Sequence, residues 1–278
     1  MNYKTILVHC DASSKLSQRL EVAVDLAQRF DAHLVGVHVQ VPMQVPAFSA
    51  GPVPTFDLFA AYEASAKAQY ESAAGAFEKA IRGSHLSSEW RLAKGYHEDE
   101  LFIQARYADL IVLGQTEPDS DTTTPRDLPE TVAISSGRPT FVVPHIGVRA
   151  KPGKSIMLCW NATRESARAA AEALPFLMMA DKVAVLIVDE KRLGSGHGPE
   201  PGADVAAWLA RHGVSVTVQR DIAADANVGE LILSRAADRE IDLIIIGLYG
   251  HSRLREVILG GASRTLLASM TVPVLMAH

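Results

Sequence analysis

Ala108-Asp-Leu-Ile-Val-Leu-Gly114 returns as Ile241-Asp-Leu-Ile-Ile-Ile-Gly247, 133 positions further along a chain of 278 residues. Each copy is a short run of branched apolar residues entered through Asp and closed by Gly, as expected of a parallel strand buried on both faces. Outward from this pair, Lys4-Thr-Ile-Leu-Val-His-Cys-Asp11 matches Lys154-Ser-Ile-Met-Leu-Cys-Trp-Asn161 at an offset of 150. His33-Leu-Val-Gly-Val-His-Val39 matches Lys182-Val-Ala-Val-Leu-Ile-Val188 at 149, and Arg138-Pro-Thr-Phe-Val142 matches Val272-Pro-Val-Leu-Met276 at 134. A repeat of this kind decides the architecture before any single residue is weighed.

The offset drops between the second and fourth strands, so the first half carries roughly 16 additional residues there. They lie in a Pro-rich stretch, Gln40 to Phe56, and in a long helical pattern over Asp57 to Arg82. Its counterpart, Ala203 to His212, is shorter and follows the Gly-rich stretch Gly194 to Gly202. Each half reads β-α-β-α-β-α-β-α-β, with strands near 4–10, 33–39, 88–92, 109–114 and 139–143, then 155–160, 182–188, 214–220, 242–247 and 272–276. Strands alternating with helices at this spacing predict an α/β fold of two tandem, doubly wound, five-stranded parallel sheets. Asn227 with Glu230 suits a capping box, Asp127 with Pro129 a helix start, and Pro175 should end the helix that begins near Arg164. Pro144 to Gly153 has linker composition, which places one domain at 1–146 and the other at 152–278.

Composition narrows the function. Apolar residues make up 48% and charged residues 21%, the balance of a globular chain with cores to bury. No apolar run approaches the ~18 residues of a membrane span, and the first ten residues are too short a run for a secretory h-region. The cytoplasm is therefore the expected location, with no membrane partner. A net charge of -5 and 6% aromatics argue against a nucleic-acid binder. Cys10 and Cys159 are too few for a disulfide framework, and the ten histidines show no metal-ligand spacing, so no resident metal is expected.

Ligands of open parallel sheets bind outside the carboxyl ends of the strands. There the second half has Gly247-Leu-Tyr-Gly250, then nine residues, then Gly260-Gly261-Ala262-Ser263. In its G-x2-G-x9-G spacing, its repeated strands and its Val-Pro-Val final strand, the whole chain resembles the universal stress protein family, in particular its tandem two-domain members. The resemblance implies a Rossmann-like fold of the adenine-nucleotide α-hydrolase type and an intrachain pseudo-dimer, its halves related by a pseudo-twofold axis with final strands paired. Further association into a homodimer is compatible with it. It also implies binding of an adenine nucleotide, ATP or AMP, with or without Mg, in the second half.

Carried over by position, Asn161 stands where the family has Asp, flanked by Cys159 and Trp160. Ile187 and Val188 would line the base, Ile246 and Gly247 close the strand end, and Arg253 lies nearby. Gly260, Gly261, Ala262 and Ser263 would face the phosphates. Chemistry agrees: Gly247 permits close approach of a base or ribose, Gly250 a positive-φ turn, and Gly260-Gly261 leave bare N–H groups at a helix start. Two departures stand out, Asn161 for Asp and Gly261 for the family's Ser or Thr. One hydrogen bond to a charged group contributes about 1.5–3 kcal/mol, so the lost hydroxyl corresponds to roughly ten- to a hundredfold in affinity. Ser263, Arg253, Arg255 and Arg264 are placed to offset part of it. The alternative is that the glycines only make a tight strand-to-helix connection.

In the first half, Glu117 and Asp127 replace the second and third glycines, with Asp119 and Asp121 between them. Carboxylates there repel phosphate, and Asp127 itself takes the anion position at the helix start. Although Asp11 keeps the family's acid, the first half reads as a degenerate site. No G-x-S-x-G elbow or Walker lysine occurs, and His251 has no orienting partner, so no catalytic residue is assigned. The leading reading is a stress-response protein that senses or stores nucleotide. A nucleotide-independent interaction scaffold and a slow ATP hydrolase using His251 or a metal carried in with the nucleotide are the competing ones.

Overall fold

The computed structural model describes residues 2–43, 56–116, 124–148, 151–189, 200–223, 227–248 and 261–278. The first half runs β1 (Thr5–His9), α1 (Leu16–Phe30), β2 (His33–Gln40), α2 (Phe56–Ile81), β3 (Ser88–Lys94), α3 (His97–Ala105), β4 (Leu110–Gly114), α4 (Leu128–Ser135) and β5 (Thr140–Val143). The second runs β6 (Ser155–Cys159), α5 (Arg164–Glu172), α6 (Leu174–Leu177), β7 (Lys182–Val188), α7 (Ala203–Arg211), β8 (Val216–Asp221), α8 (Val228–Asp238), β9 (Leu243–Gly247), α9 (Gly261–Ser269) and β10 (Val274–Ala277). Every predicted strand is present within about two residues. Most of the Pro-rich stretch, residues 44–55, and Gly194 to Gly198 lie outside the described residues.

All ten strands form one sheet in the order β3-β2-β1-β4-β5-β10-β9-β6-β7-β8. Each half has the doubly wound order 3-2-1-4-5. All pairs within a half are parallel, and only β5–β10 is antiparallel, with Val142 opposite Val274 and Phe141 opposite Leu275. The final strands therefore pair across the halves as the resemblance implies. Because that seam is antiparallel, the carboxyl ends of the two sets of strands lie on opposite edges of the sheet.

Local sequence explains the elements. Ile6, Leu7 and Val8 are all buried, as are Ile156, Met157 and Leu158, because helices cover both faces of the sheet. Leu16, Leu20, Ala23, Leu26, Ala27 and Phe30 form the buried stripe of α1 at helical spacing. The Asp that enters each repeated strand now has a reason. Asp109 accepts the Lys4 and Thr5 N–H groups at 2.7 and 2.9 Å, and Asp242 accepts those of Gly153, Lys154 and Ser155. Each carboxylate thus satisfies main-chain donors where the half's first strand begins.

Two local expectations change. Asn227 caps α8 by accepting from the Gly229 N–H at 2.8 Å, rather than forming a box with Glu230. The capping box present is Thr163 with Ser166 at the start of α5, a pair of hydroxyls instead of hydroxyl and carboxylate. Pro175 does end α5, since α6 starts afresh at Leu174.

An aromatic cluster stitches the halves together behind the seam. Phe176 of the second half lies 5.0 Å from Phe30 and 5.7 Å from Phe141 and Tyr3, between ring centroids. The Tyr3 hydroxyl donates to the Glu172 carbonyl at 2.5 Å. Replacing Phe176 by Ala removes the shared ring from a fully buried site, so it should destabilise the protein by about 3–5 kcal/mol. Denaturant titration followed by far-UV circular dichroism should show both halves unfolding together at the lower midpoint. Independent loss of one half would contradict a common core.

Candidate functional site

Each crossover helix must run back against its parallel strands, so its N-terminus lies at their carboxyl edge. In the second half this edge is assembled in register, Cys159 beside Leu186 on one flank and Ile246 on the other. Cys159, Trp160, Asn161, Val188 and Gly247 keep partial exposure, whereas Ile187 and Ile246 are core residues. Ile187 packs against the turn at Gly202 and is fully buried, so of the two residues expected to line a base only Val188 reaches the edge. Gly250, Arg253 and Gly260, together with His251 and Arg255, lie outside the described residues.

Gly247 has a packing role. A Cβ there would come within 2.4 Å of the Glu165 and Ser166 main chain, so its missing side chain admits the start of α5. Asn161 anchors the same turn, its side-chain oxygen accepting from the Thr163 N–H at 3.3 Å and the Thr163 hydroxyl at 2.8 Å. Among the described residues its amide nitrogen has no hydrogen-bond partner. Where a carboxylate would only accept, this position therefore offers a donor.

Gly261 opens α9 and is exposed. Among the described residues, a Cβ there would meet only the Asn227 amide nitrogen, at 3.9 Å. The first N–H groups of a helix have no partner within it and carry its positive end, which suits an anion. Ala262 is half-buried and Ser263 buried at 6% exposure, so the exposed start of α9 is at Gly261. Arg264 is exposed; burial raises the carboxyl of Glu130, in α4 of the other half, and the Arg264 charge opposes that rise.

The first half fills the equivalent place with its own side chains. Arg19 and Asp11 are both buried, with nitrogen–oxygen distances of 3.2 and 3.3 Å between them, and Arg19 also donates to the His9 carbonyl at 2.7 Å. A Cβ on Gly114 would come within 2.3 Å of the guanidinium, so the strand-end glycine makes room for an arginine. At the repeat position of Arg19 the second half has Ala169, and at that of Asp11 it has Asn161. Sequence reasoning explains the degenerate half through Glu117, Asp119, Asp121 and Asp127, the first three of which lie outside the described residues. It misses Arg19. A signal existed, because Arg19 falls on the apolar stripe of α1, three residues after Leu16 and four before Ala23.

Buried titratable groups surround this plug. Burial raises the cost of a charged Asp11, but the Arg19 charge and hydrogen bond, His9 and the Ser13 N–H together outweigh it and hold its carboxyl below the usual range. Burial pushes the His9 imidazolium down to about 3, against the pull of Asp11, and that of His97 down to about 4. The two rings meet edge to face at 5.2 Å. Both stay neutral in the folded chain at ordinary pH.

Fold and repeated strand ends define a tandem α/β protein whose two halves share one scaffold. The model of the universal stress protein family matches residues 2–124 and again 154–278, and the chain belongs to that family. The universal stress protein from Archaeoglobus fulgidus DSM 4304 superposes with a TM-score of 0.74 at 16% identity, over 98% of this chain and 97% of that one. A functionally unknown protein from Pseudomonas aeruginosa PAO1 does so with 0.59 at 14% identity, over 99% and 92%. At these identities the likeness concerns the fold. No curated protein sequence matches the chain. Among the described residues, no helix is long and apolar enough to cross a membrane.

The buried histidines set a pH dependence. Their folded values lie below the ~6.5 of an unfolded histidine, so the stability they confer is complete above pH 6.5 and is lost as pH falls toward 4. Each should contribute a slope of up to about 1.4 kcal/mol per pH unit in that window. His97→Gln should remove roughly half of the combined slope, read from unfolding free energies measured at intervals between pH 4 and 7. An unchanged slope would contradict a neutral buried His97.

Proposed function

We propose that this universal stress protein binds an adenine nucleotide, ATP or AMP, in its C-terminal half. The binding would be regulatory, with the first half held closed. The observation that carries this reading is the contrast between equivalent places in one chain. A buried Arg19–Asp11 pair occupies the strand end of the first half, while the second half has Ala169 and Asn161 at those repeat positions, the α5 main chain beside Gly247, and an exposed helix start at Gly261. Family membership and the Gly247, Gly250, Gly260 spacing supply the class of ligand.

The residues at hand fit such a group. The α9 N-terminus offers main-chain donors to phosphates, the Asn161 amide offers a donor where the family has an acceptor, and Cys159, Trp160 and Val188 give a partly apolar wall. A bound nucleotide would supply only charge and a signal of its own concentration; no residue is assigned to cleave it. Cytoplasmic location belongs to the same proposal.

Position 261 tests the reading in both directions. Gly261→Ser places a hydroxyl at the exposed start of α9 and should tighten ATP binding about tenfold in calorimetric titration. Gly261→Asp should abolish binding while leaving the melting temperature unchanged or higher, because a carboxylate at a helix start repels phosphate yet favours the helix. Equal ATP affinity in all three proteins, or a wild-type chain that binds neither ATP nor AMP at millimolar concentration, would reject the proposal.

A further inference from the structure

Gln115 follows the last residue of β4 and is buried where the two halves meet. Its side-chain oxygen accepts the His145 N–H at 3.0 Å, which ties down the segment after β5. Its amide nitrogen crosses to the other half and donates to the carbonyls of Leu267 at 2.8 Å and Ala268 at 3.2 Å. Both carbonyls belong to the last turn of α9, where the helix supplies no main-chain donor of its own. The antiparallel seam makes this contact possible, because the carboxyl edge of the first half lies level with the C-terminal end of α9.

The link has no mirror image. The matching position in the second half is Leu248, fully buried and without a hydrogen-bonding side chain. Gln115 also borders the small cleft that Arg19 and Asp11 fill. One side chain thus joins the closed cleft of the first half to the helix whose opposite end is the phosphate-binding end in the reading above. With nine residues, α9 is about 13.5 Å long. A helix so short moves as one piece, and hydrogen bonds from its leading amides weaken steeply with misalignment.

We infer that Gln115 is a positioning residue for nucleotide binding: by holding the C-terminal carbonyls of α9 it sets the placement of the amides at the helix start, so the first half tunes affinity in the second. This role rests on the nucleotide reading. It assigns the closed half a task, that of a fixed abutment for a helix it does not contain.

Two substitutions at Gln115 separate the contacts. Gln115→Glu keeps an acceptor for the His145 N–H, removes both donors and sets a negative charge against the negative end of α9. Gln115→Leu copies Leu248 and keeps the site apolar. In titrations with ATP, the Glu variant should bind about tenfold more weakly and the Leu variant about threefold. Amide hydrogen exchange should quicken in α9 and stay unchanged in β1, β2 and β7. Wild-type binding with unaltered affinity in both variants would overturn this role alone. Exchange quickening equally through both halves would overturn it in favour of general stability. A wild-type chain that binds no ATP would remove the nucleotide reading itself and this role with it.

Discussion

The antiparallel pairing of β5 with β10 is the contact on which the rest of the molecule depends. Each half alone would end its sheet on a strand with unpaired main-chain groups, an edge that invites pairing with another chain. Here those groups satisfy each other, Phe141 opposite Leu275, and Phe176 packs between Phe30, Phe141 and Tyr3 behind the seam. Ten strands become one sheet with a shared core. The same pairing turns one half over relative to the other, which sets their strand-end clefts on opposite edges and brings Gln115 to the far end of α9.

Duplication of a scaffold leaves each copy free to change at the strand ends while the strands stay alike. The first half placed a buried ion pair in its cleft. Such a pair must recover the cost of removing two charges from water, and it does so only with good geometry and further hydrogen bonds. Arg19 has both, through Asp11 and the His9 carbonyl, and Ser13 donates its N–H to Asp11 at 3.1 Å. The guanidinium then lies where a side chain on Gly114 would begin. The second half has small residues at Ala169, Gly247 and Gly261, of which Gly247 serves helix packing and Gly261 is exposed.

Much of the fold was legible in the chain because central parallel strands are covered on both faces and so read as unbroken apolar runs. Ala108 to Gly114 and Ile241 to Gly247 are such runs, and their repetition exposed the tandem architecture. The candidate site was legible only in part. Arg19 looks like any helical charge until the helix is docked, since only its place on the apolar stripe betrays burial. That Gly247 makes room for the α5 main chain is seen only once the helix is docked. Ile187 turns to the α7 face and Val188 to the other, because neighbouring residues of a strand face opposite sides, and that alternation is invisible in a uniformly apolar run.

By itself the sequence determined the two α/β units, their order of elements and the glycine spacing that names the family, because these follow from local periodicity, turn chemistry and repetition along the chain. Only the tertiary structure decided that Arg19 and Asp11 pair at the first strand end, what Gly114 and Gly247 make room for, and how the halves touch. Those outcomes depend on distances between residues far apart in sequence, such as Arg19 to Gly114 and Gln115 to Leu267, and no pattern along the chain encodes a distance across it.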